Sequence, residues 1–351
     1  MSNIKSKKKV VLDLRDLANP LCGFGQIATN YARIFSSLHD DQLEFAYLLP
    51  QGYQWPYGDD AECRYDKADF RDVDLWHSVN QFQIKKPTGR TRLRLLTIHD
   101  LNFLREKGWL SQMKNKLRIN LAIRRSAAVT CISQFVADEI RHNFSLSGRP
   151  LHVIYNGVQP IYDQPQARPQ FATGRPFFFT IGQIRAKKNF HLLLDVMQSF
   201  PDHDLYICGD DHFKHAQHIR QRIADEHITN VYLTGPISAE EKVWLYARCE
   251  AFLFPSGGEG FGLPVIEAMQ FGKAVYTSSL TCLPEIAGGH SIVWDDLTTE
   301  TMVRTIRDTL PHFYDDASRI EAIRRYASTF SYEAHVSAYV SLYKEVLGLK
   351  S

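Results

Sequence analysis

Two glutamates eight positions apart, Glu259 and Glu267, frame the run GGEGFGLPVIEAMQFG at 257–272. The run follows an apolar stretch at 251–255 that reads as a buried strand. Pro264 suits the first position of a helix, where its missing N–H costs nothing. The pattern predicts a strand, a glycine turn, and a helix that carries Glu267 in its first turn. The N-terminus of such a helix offers unpaired N–H groups and positive dipole charge to an anion. Carboxylates repel phosphate, so Glu259 and Glu267 are expected to face hydroxyls. A ligand with an anionic middle and hydroxyl-rich ends meets both demands, and a nucleotide sugar has that form. Acidic residues also favour helix starts, so the spacing alone is compatible with a plain glycine-led helix.

Three other stretches carry candidate chemistry. FFFTIGQIRAKKNF (177–190) reads as a strand, a turn at Gly182 and a cationic cluster. Its Arg185, Lys187 and Lys188 could neutralise a diphosphate leaving group as its charge grows. RLLTIHDLNFL (94–104) puts His99 and Asp100 at a strand end, a place for His99 to meet a sugar or organise the reacting centre. LCGFGQIATNYARIF (21–35) sets Gly23, Phe24 and Gly25 ahead of a helical pattern, a second anion-binding turn. Only G-x-G is present there, which argues against a nicotinamide dehydrogenase. Ser133 in CISQF is a candidate to approach the cleft, while Asn156 and Gly157 read as shaping an interdomain turn. Asp72 and Asp74 spell D-x-D but introduce an apolar strand. His212, His215 and His218 beside Asp210 and Asp211 read as a solvated helix face rather than a metal site. His77 reads as core or cleft lining.

The elements that must hold these residues alternate regularly. Strand-like runs at 10–14, 45–49, 73–79, 94–100, 128–133 and 152–157 are separated by helical patterns. A Pro-rich polar stretch at 159–176 reads as a linker. A second series follows at 177–182, 204–210, 231–236, 251–256, 274–279 and 291–296. Such alternation implies an α/β protein with two Rossmann-like, doubly wound parallel-sheet domains facing a cleft. Ligands of these sheets sit at the carboxyl ends of strands, where every motif above falls. The expected division is 1–160, 161–330 and a C-terminal helix in 331–351, with apolar spacing at Val336, Tyr339, Leu342 and Val346.

The run E-G-F-G-L-P-V-I-E-A-M resembles the E-x7-E motif of retaining glycosyltransferases of family 4, which have the GT-B fold. The resemblance implies that Glu267 binds the ribose hydroxyls of the donor and Glu259 contacts sugar hydroxyls. The amides of Gly260, Phe261 and Gly262, with Leu263, would face the sugar and diphosphate, beside Gly182. Members of the family place an Arg after the glycine and a Lys five positions later. Here Lys188 matches the Lys, Gln183 stands at the Arg position, and Arg185 is a candidate substitute. His99 would contact the donor sugar, and the 23–25 loop would lie near acceptor and phosphates. The final helix would cross back to the first domain. Attack would come from the face the leaving group departs, with the leaving phosphate accepting the proton, and no metal or other cofactor is expected.

The implied function is transfer of a hexose from a nucleoside-diphosphate sugar to a glycan or lipid-linked glycan acceptor in lipopolysaccharide or polysaccharide synthesis. GDP-mannose is slightly preferred over a UDP-glucose or UDP-galactose donor. A sugar-nucleotide 2-epimerase or a noncatalytic GT-B partner subunit are the alternatives, the latter kept open by Gln183.

Composition bounds the setting. The chain has 351 residues, 44% hydrophobic and 23% charged, with net charge +2. Six scattered cysteines without a C-x-x-C pair, and lysines leading straight into a strand, predict a reduced cytoplasmic protein without signal peptide. Between Lys85 and Arg125 twelve Lys or Arg face only Asp100 and Glu106. Within it Trp109, Leu110, Met113, Leu117 and Leu121 recur at helical spacing. That stripe is expected to pack on its own sheet, with the charge attracting an anionic membrane at the inner face of the plasma membrane. Nucleic acid is not expected as a partner, because no recognition motif accompanies the charge.

Overall fold

The computed structural model describes residues 7–19, 23–58, 62–65, 70, 72–83 and 91–350. It divides into two units, one of Met1–Tyr155 with Tyr332–Ser351 and one of Asn156–Ser331.

The first unit holds strands β1 (Lys8–Asp13), β2 (Leu43–Leu49), β3 (Glu62–Tyr65), β4 (Val73–Ser78), β5 (Thr91–Ile98), β6 (Ala128–Cys131) and β7 (Leu151–Val153). They pair in parallel in the order β3-β2-β1-β4-β5-β6-β7. The order reverses between β1 and β4, which opens a crevice at their carboxyl ends. Val10, Leu12, Leu75 and Leu95 are fully or almost fully buried, as strands covered on both faces require. β3 was not legible as a strand, because Glu62, Cys63, Arg64 and Tyr65 form a polar, partly exposed edge.

The last helix, Tyr332–Val346, belongs to this unit and sets Val336, Tyr339, Leu342 and Tyr343 into the cluster of Val10, Leu12, Tyr31 and Phe35. Its polar groups are paired in the core. Tyr343 hydrogen bonds His77 Nδ1 at 2.7 Å, and Thr97 takes His77 Nε2 at 2.8 Å. Tyr339 meets Thr97 and Thr130 at 3.1 and 3.2 Å. His335 joins the Tyr155 carbonyl at 2.6 Å and the Tyr31 hydroxyl at 3.1 Å. Desolvation pushes the His77 pKa down to about 3 and that of His335 to about 4, so both stay neutral. His77 is thus a core residue.

The helix Trp109–Arg125 corrects an expectation. It buries the narrow row Asn115, Ile119 and Ile123, which meets Leu96, Ile98 and Val129 of the core. The stripe expected to pack on the sheet lies on another face: Trp109 is 70% exposed, Leu110 74% and Leu117 67%. One face of a helix can meet the sheet, and the row spaced by four residues took it. Lys114, Arg118, Arg124 and Arg125 are exposed as well. Lys85, Lys86 and Arg90 of the basic stretch lie outside the described residues, as do Leu21 and Cys22. Cys63, Cys131, Cys208, Cys249 and Cys282 are free thiols. Among the described residues no helix is long and apolar enough to cross a membrane.

The second unit holds β8 (Phe177–Ile181), β9 (Asp204–Cys208), β10 (Val231–Gly235), β11 (Ala251–Phe254), β12 (Ala274–Ser278) and β13 (Ile292–Trp294). The parallel order is β10-β9-β8-β11-β12-β13, and here the reversal falls between β8 and β11. The expected linker at 159–176 lacks helix and strand but is tied to this unit. Ile161 N–H donates to Gln270 Oε1 at 3.0 Å, Thr173 Oγ1 donates to Asp204 at 2.5 Å, and Ala172 is buried.

Candidate functional site

The crevice between β8 and β11 gathers most of the residues singled out from the sequence. The chain leaves β8 at Gly182, makes a tight turn Ala186–Lys188, and reverses at Asn189, whose φ is 56°. Asn189 Nδ2 donates to the Pro255 carbonyl at 3.0 Å, and Gly257 N–H donates to the Lys187 carbonyl at 2.8 Å. The cationic turn and the glycine loop are thereby laced together. Gly209 closes the approach from β9: a Cβ there would stand 2.2 Å from the Gly182 carbonyl oxygen.

Lys188 pairs with Glu259 and lies over the Phe254 ring, 5.1 Å from its centre. Arg185 stacks on Phe213 with its guanidinium carbon 4.9 Å from the ring centre. Gly262 caps the helix Leu263–Gln270 in the left-handed region, φ 94°, with Pro264 in the first turn. A side chain at 262 would be strained and would meet Leu283 Cδ2 at 2.8 Å. Phe261 is buried edge-on against Phe330 at 5.7 Å between centres, so only its backbone can serve a ligand.

Glu267 sits past the first turn of that helix, which holds no acidic residue. The expected first-turn position is corrected, because the helix begins at Leu263, one residue ahead of Pro264. Its carboxylate is held from the neighbouring helix Ala239–Arg248. Lys242 Nζ donates to Oε1 at 2.8 Å and the buried Tyr246 hydroxyl donates to Oε2 at 2.9 Å. Sequence reading missed Lys242 and Tyr246. Their four-residue spacing puts them on one helix face, but only the tertiary structure sets that face against Glu267.

In the first unit His99 directly follows β5 and is 3% exposed. Nε2 meets the Val79 carbonyl at 2.6 Å and the backbone N–H donates to Gln81 Oε1 at 3.1 Å. Nε2 must carry the proton to bond a carbonyl, leaving Nδ1 as an acceptor, and among the described residues Nδ1 is buried without a hydrogen-bond partner. Burial lowers the His99 pKa, so the ring stays neutral. Phe24 packs edge-on to His99 with centres 5.3 Å apart. Gly23 and Gly25 do not precede the helix. Both lie within it, in the described span Gly23–Ser36. Ser133 is also corrected: fully buried, its hydroxyl accepts from Val136 N–H at 3.2 Å and caps the helix Gln134–Asn143.

Asp210, Asp211 and His212 form a group of metal-capable side chains among the described residues. His212 hydrogen bonds Asp210 at 2.7 Å and Arg220 takes Asp211, so each carboxylate already has a partner. His215 and His218 lie on the following helix Lys214–Asp225, with His215 Nε2 3.2 Å from His191 Nδ1. Asp74 of the D-x-D pair accepts from Lys8 Nζ and Lys9 N–H, both at 3.1 Å.

Residues 163–311 match the family described as Glycosyl transferases group 1, and residues 38–161 match Glycosyltransferase Family 4. The chain belongs to the GT-B glycosyltransferases of family 4. It is 25% identical over 199 residues to the O-antigen chain mannosyltransferase RfbU of Salmonella typhimurium, covering 56% of this chain and 54% of that protein. The chain thus spans about half the length of this curated relative, and matches 29% of the length of another. Among solved structures it resembles sucrose-phosphate synthase from Thermosynechococcus elongatus, with TM-score 0.75 at 15% identity over 97% of this chain and 100% of that one. It also resembles Anabaena HepE in complex with UDP and glucose, with TM-score 0.72 at 17% identity over 96% of this chain and 99% of that one.

Proposed function

We propose that this chain is a retaining hexosyltransferase that moves mannose from GDP-mannose to a glycan or lipid-linked glycan acceptor in cell-surface polysaccharide synthesis. The observation that carries the reading is the crevice of the second unit, where Lys188 and Glu259 stand on loops laced together at the sheet reversal and Glu267 stands on the helix that follows. Glu267 would take the ribose hydroxyls, with its two oxygens oriented by Lys242 and Tyr246. Glu259 would take sugar hydroxyls. Lys188, Arg185 and the amides of Gly260, Phe261 and Gly262, with Leu263, would neutralise the departing diphosphate, without a bound metal. Gly182 opens this turn at φ 156°, a backbone conformation that side-chain-bearing residues rarely adopt. In the first unit, the Nδ1 of His99, without a hydrogen-bond partner among the described residues, would accept from a sugar hydroxyl, near the helical residues Gly23, Phe24 and Gly25. Mannose is preferred on the similarity to a mannosyltransferase, and a UDP-hexose is the competing donor.

The same reading places the protein in the cytoplasm, at the inner face of the plasma membrane. The exposed Trp109, Leu110 and Leu117, flanked by Lys114 and Arg118, suit an anionic bilayer surface, apolar side chains entering the headgroup region while the cations meet lipid phosphate.

Thermal melting with GDP, UDP, GDP-mannose and UDP-hexoses, with and without EDTA, tests the donor reading. A nucleotide at a hundred times its dissociation constant adds about 2.7 kcal/mol, which raises the midpoint of a unit of this size by roughly 5–11 °C. A shift confined to guanine nucleotides and indifferent to EDTA supports the proposal, and one confined to uridine nucleotides replaces mannose. No shift with any of them favours a noncatalytic partner subunit.

A further inference from the structure

At the carboxyl ends of β1 and β4, where the first sheet reverses its order, a carboxylate stands in a cradle of side-chain amides. Asp16 Oδ2 accepts from Asn80 Nδ2 and, at 2.7 Å, from Gln83 Nε2. Asn80 is itself pinned, since its Oδ1 accepts from the backbone N–H of Phe82 at 2.7 Å and of Gln83 at 3.2 Å. The nearby Arg15 turns its guanidinium onto Asp13, with Nε at 2.8 Å. Burial and the Asp13 charge raise the Asp16 pKa.

The donors around Asp16 all fall on one oxygen, and among the described residues Oδ1 takes no hydrogen bond. Gln83 must turn its amide N–H to the carboxylate, which sends its Oε1 the other way, and that oxygen is buried without a partner among the described residues. The Nδ1 of His99 is orphaned in the same sense. These acceptors sit on residues that adjoin one aromatic cluster: Phe24 packs edge-on to Phe82 at 6.3 Å and to His99 at 5.3 Å. Phe82 is 44% exposed, an apolar face beside a set of acceptors that lack donors.

The buried Gln83 Oε1 is costly to leave without a donor, the half-buried Asp16 Oδ1 is open to one, and a ligand that brings donors serves both. Sugar hydroxyls are donors, and the C–H face of a pyranose carries the partial positive charge that the face of an aromatic ring attracts. A phosphate or carboxylate brings charge of the same sign as Asp16 and no donor, so the same groups reject it. We propose that Asp16, Gln83 and Phe82 form a subsite for a neutral, hydroxyl-bearing pyranose of the glycan acceptor, and that this subsite excludes sugars carrying phosphate or carboxylate there. The inference rests on the transferase reading above and sharpens it to an acceptor class.

The test is saturation-transfer NMR on the full chain, with methyl α-mannopyranoside as neutral probe and mannose 6-phosphate as charged probe. Asp16→Asn preserves the cradle, because a carbonyl still accepts the two amide donors, while an NH2 group replaces the free acceptor. Phe82→Ala removes the platform. Melting curves check that both variants fold, and calorimetry with GDP and UDP on the same samples reports the nucleotide site. The neutral probe is expected to show transfer and the charged probe none at equal concentration. Each variant is expected to weaken the neutral probe by about tenfold and leave nucleotide binding unchanged. No transfer to the neutral probe, equal transfer to both, or unweakened binding by both variants would overturn the subsite. The two readings separate cleanly. Sugar binding as expected without any nucleotide binding sinks the transferase reading alone, and nucleotide binding with the sugar results reversed sinks the subsite alone.

Discussion

The Lys188 ammonium and the Glu259 carboxylate neutralise one another, each side chain only 12% exposed. They come from different loops, one following β8 and the other following β11. Removing one partner leaves the other buried and unpaired. Lys188→Met is expected to cost about 3 kcal/mol in urea denaturation, and the Lys188→Met/Glu259→Gln double variant to cost less than the sum of the singles. Either single variant is expected to lower transfer at least about a hundredfold. Strictly additive stabilities would show that the pair is not coupled.

Tyr246 and Lys242 both bond the Glu267 carboxylate, so in the proposed reading they act on the nucleotide through it. Tyr246→Phe keeps the buried ring and removes the 2.9 Å hydrogen bond to Oε2. Its expected effect is about a tenfold loss of nucleotide affinity, read by calorimetry, with kcat at saturating donor little changed. Lys242→Met should act in the same direction. A variant that lowers kcat while leaving nucleotide affinity intact would place the role of Glu267 elsewhere.

Acid should loosen the first unit. His77 and His335 are neutral in the fold, with pKa values of about 3 and about 4, against about 6.5 in an unfolded chain. At pH above 6.5 neither histidine binds a proton in either state. Below it the unfolded chain takes up protons that the fold refuses, so stability falls from about pH 6.5 down to those values. The midpoint of melting is expected to drop between pH 7 and pH 5. The drop should be shallower in a His335→Gln variant, whatever its stability at pH 7. Parallel profiles for the two proteins would remove this histidine from the account.

The outward face of the Trp109–Arg125 helix makes a separate prediction. Cosedimentation with vesicles rich in phosphatidylglycerol should be strong at low salt and fall as salt screens the cations. Leu110→Asp/Leu117→Asp should weaken it at any salt, since both side chains are exposed and their replacement leaves the core intact. Zwitterionic vesicles binding as well as anionic ones would leave the cations without a role, and no binding at low salt would end the membrane reading.

Much of this was already written in the chain. The alternation of short apolar runs with helical patterns determined two parallel α/β sheets, because a strand buried on both faces needs a continuous apolar run and a helical crossover. Gly262 and Pro264 determined a loop feeding a helix, since the left-handed φ and the missing N–H are tolerated where they stand. Those are local constraints, and local constraints can be read from neighbours in sequence. The partnerships of the site are not local. Lys188 meets Glu259 across 71 positions, Tyr246 reaches Glu267 from another helix, and Gln83 reaches Asp16 across 67 positions. The Trp109–Arg125 helix carries two apolar faces, so periodicity could not choose between them. Packing against the first sheet chose Ile119 and Ile123 and left Trp109 and Leu117 to the outside. Ser133 likewise became a helix cap only when its backbone extended ahead of Gln134. Tertiary structure decided these points because each depends on which groups the folded chain brings together and which it shields from water.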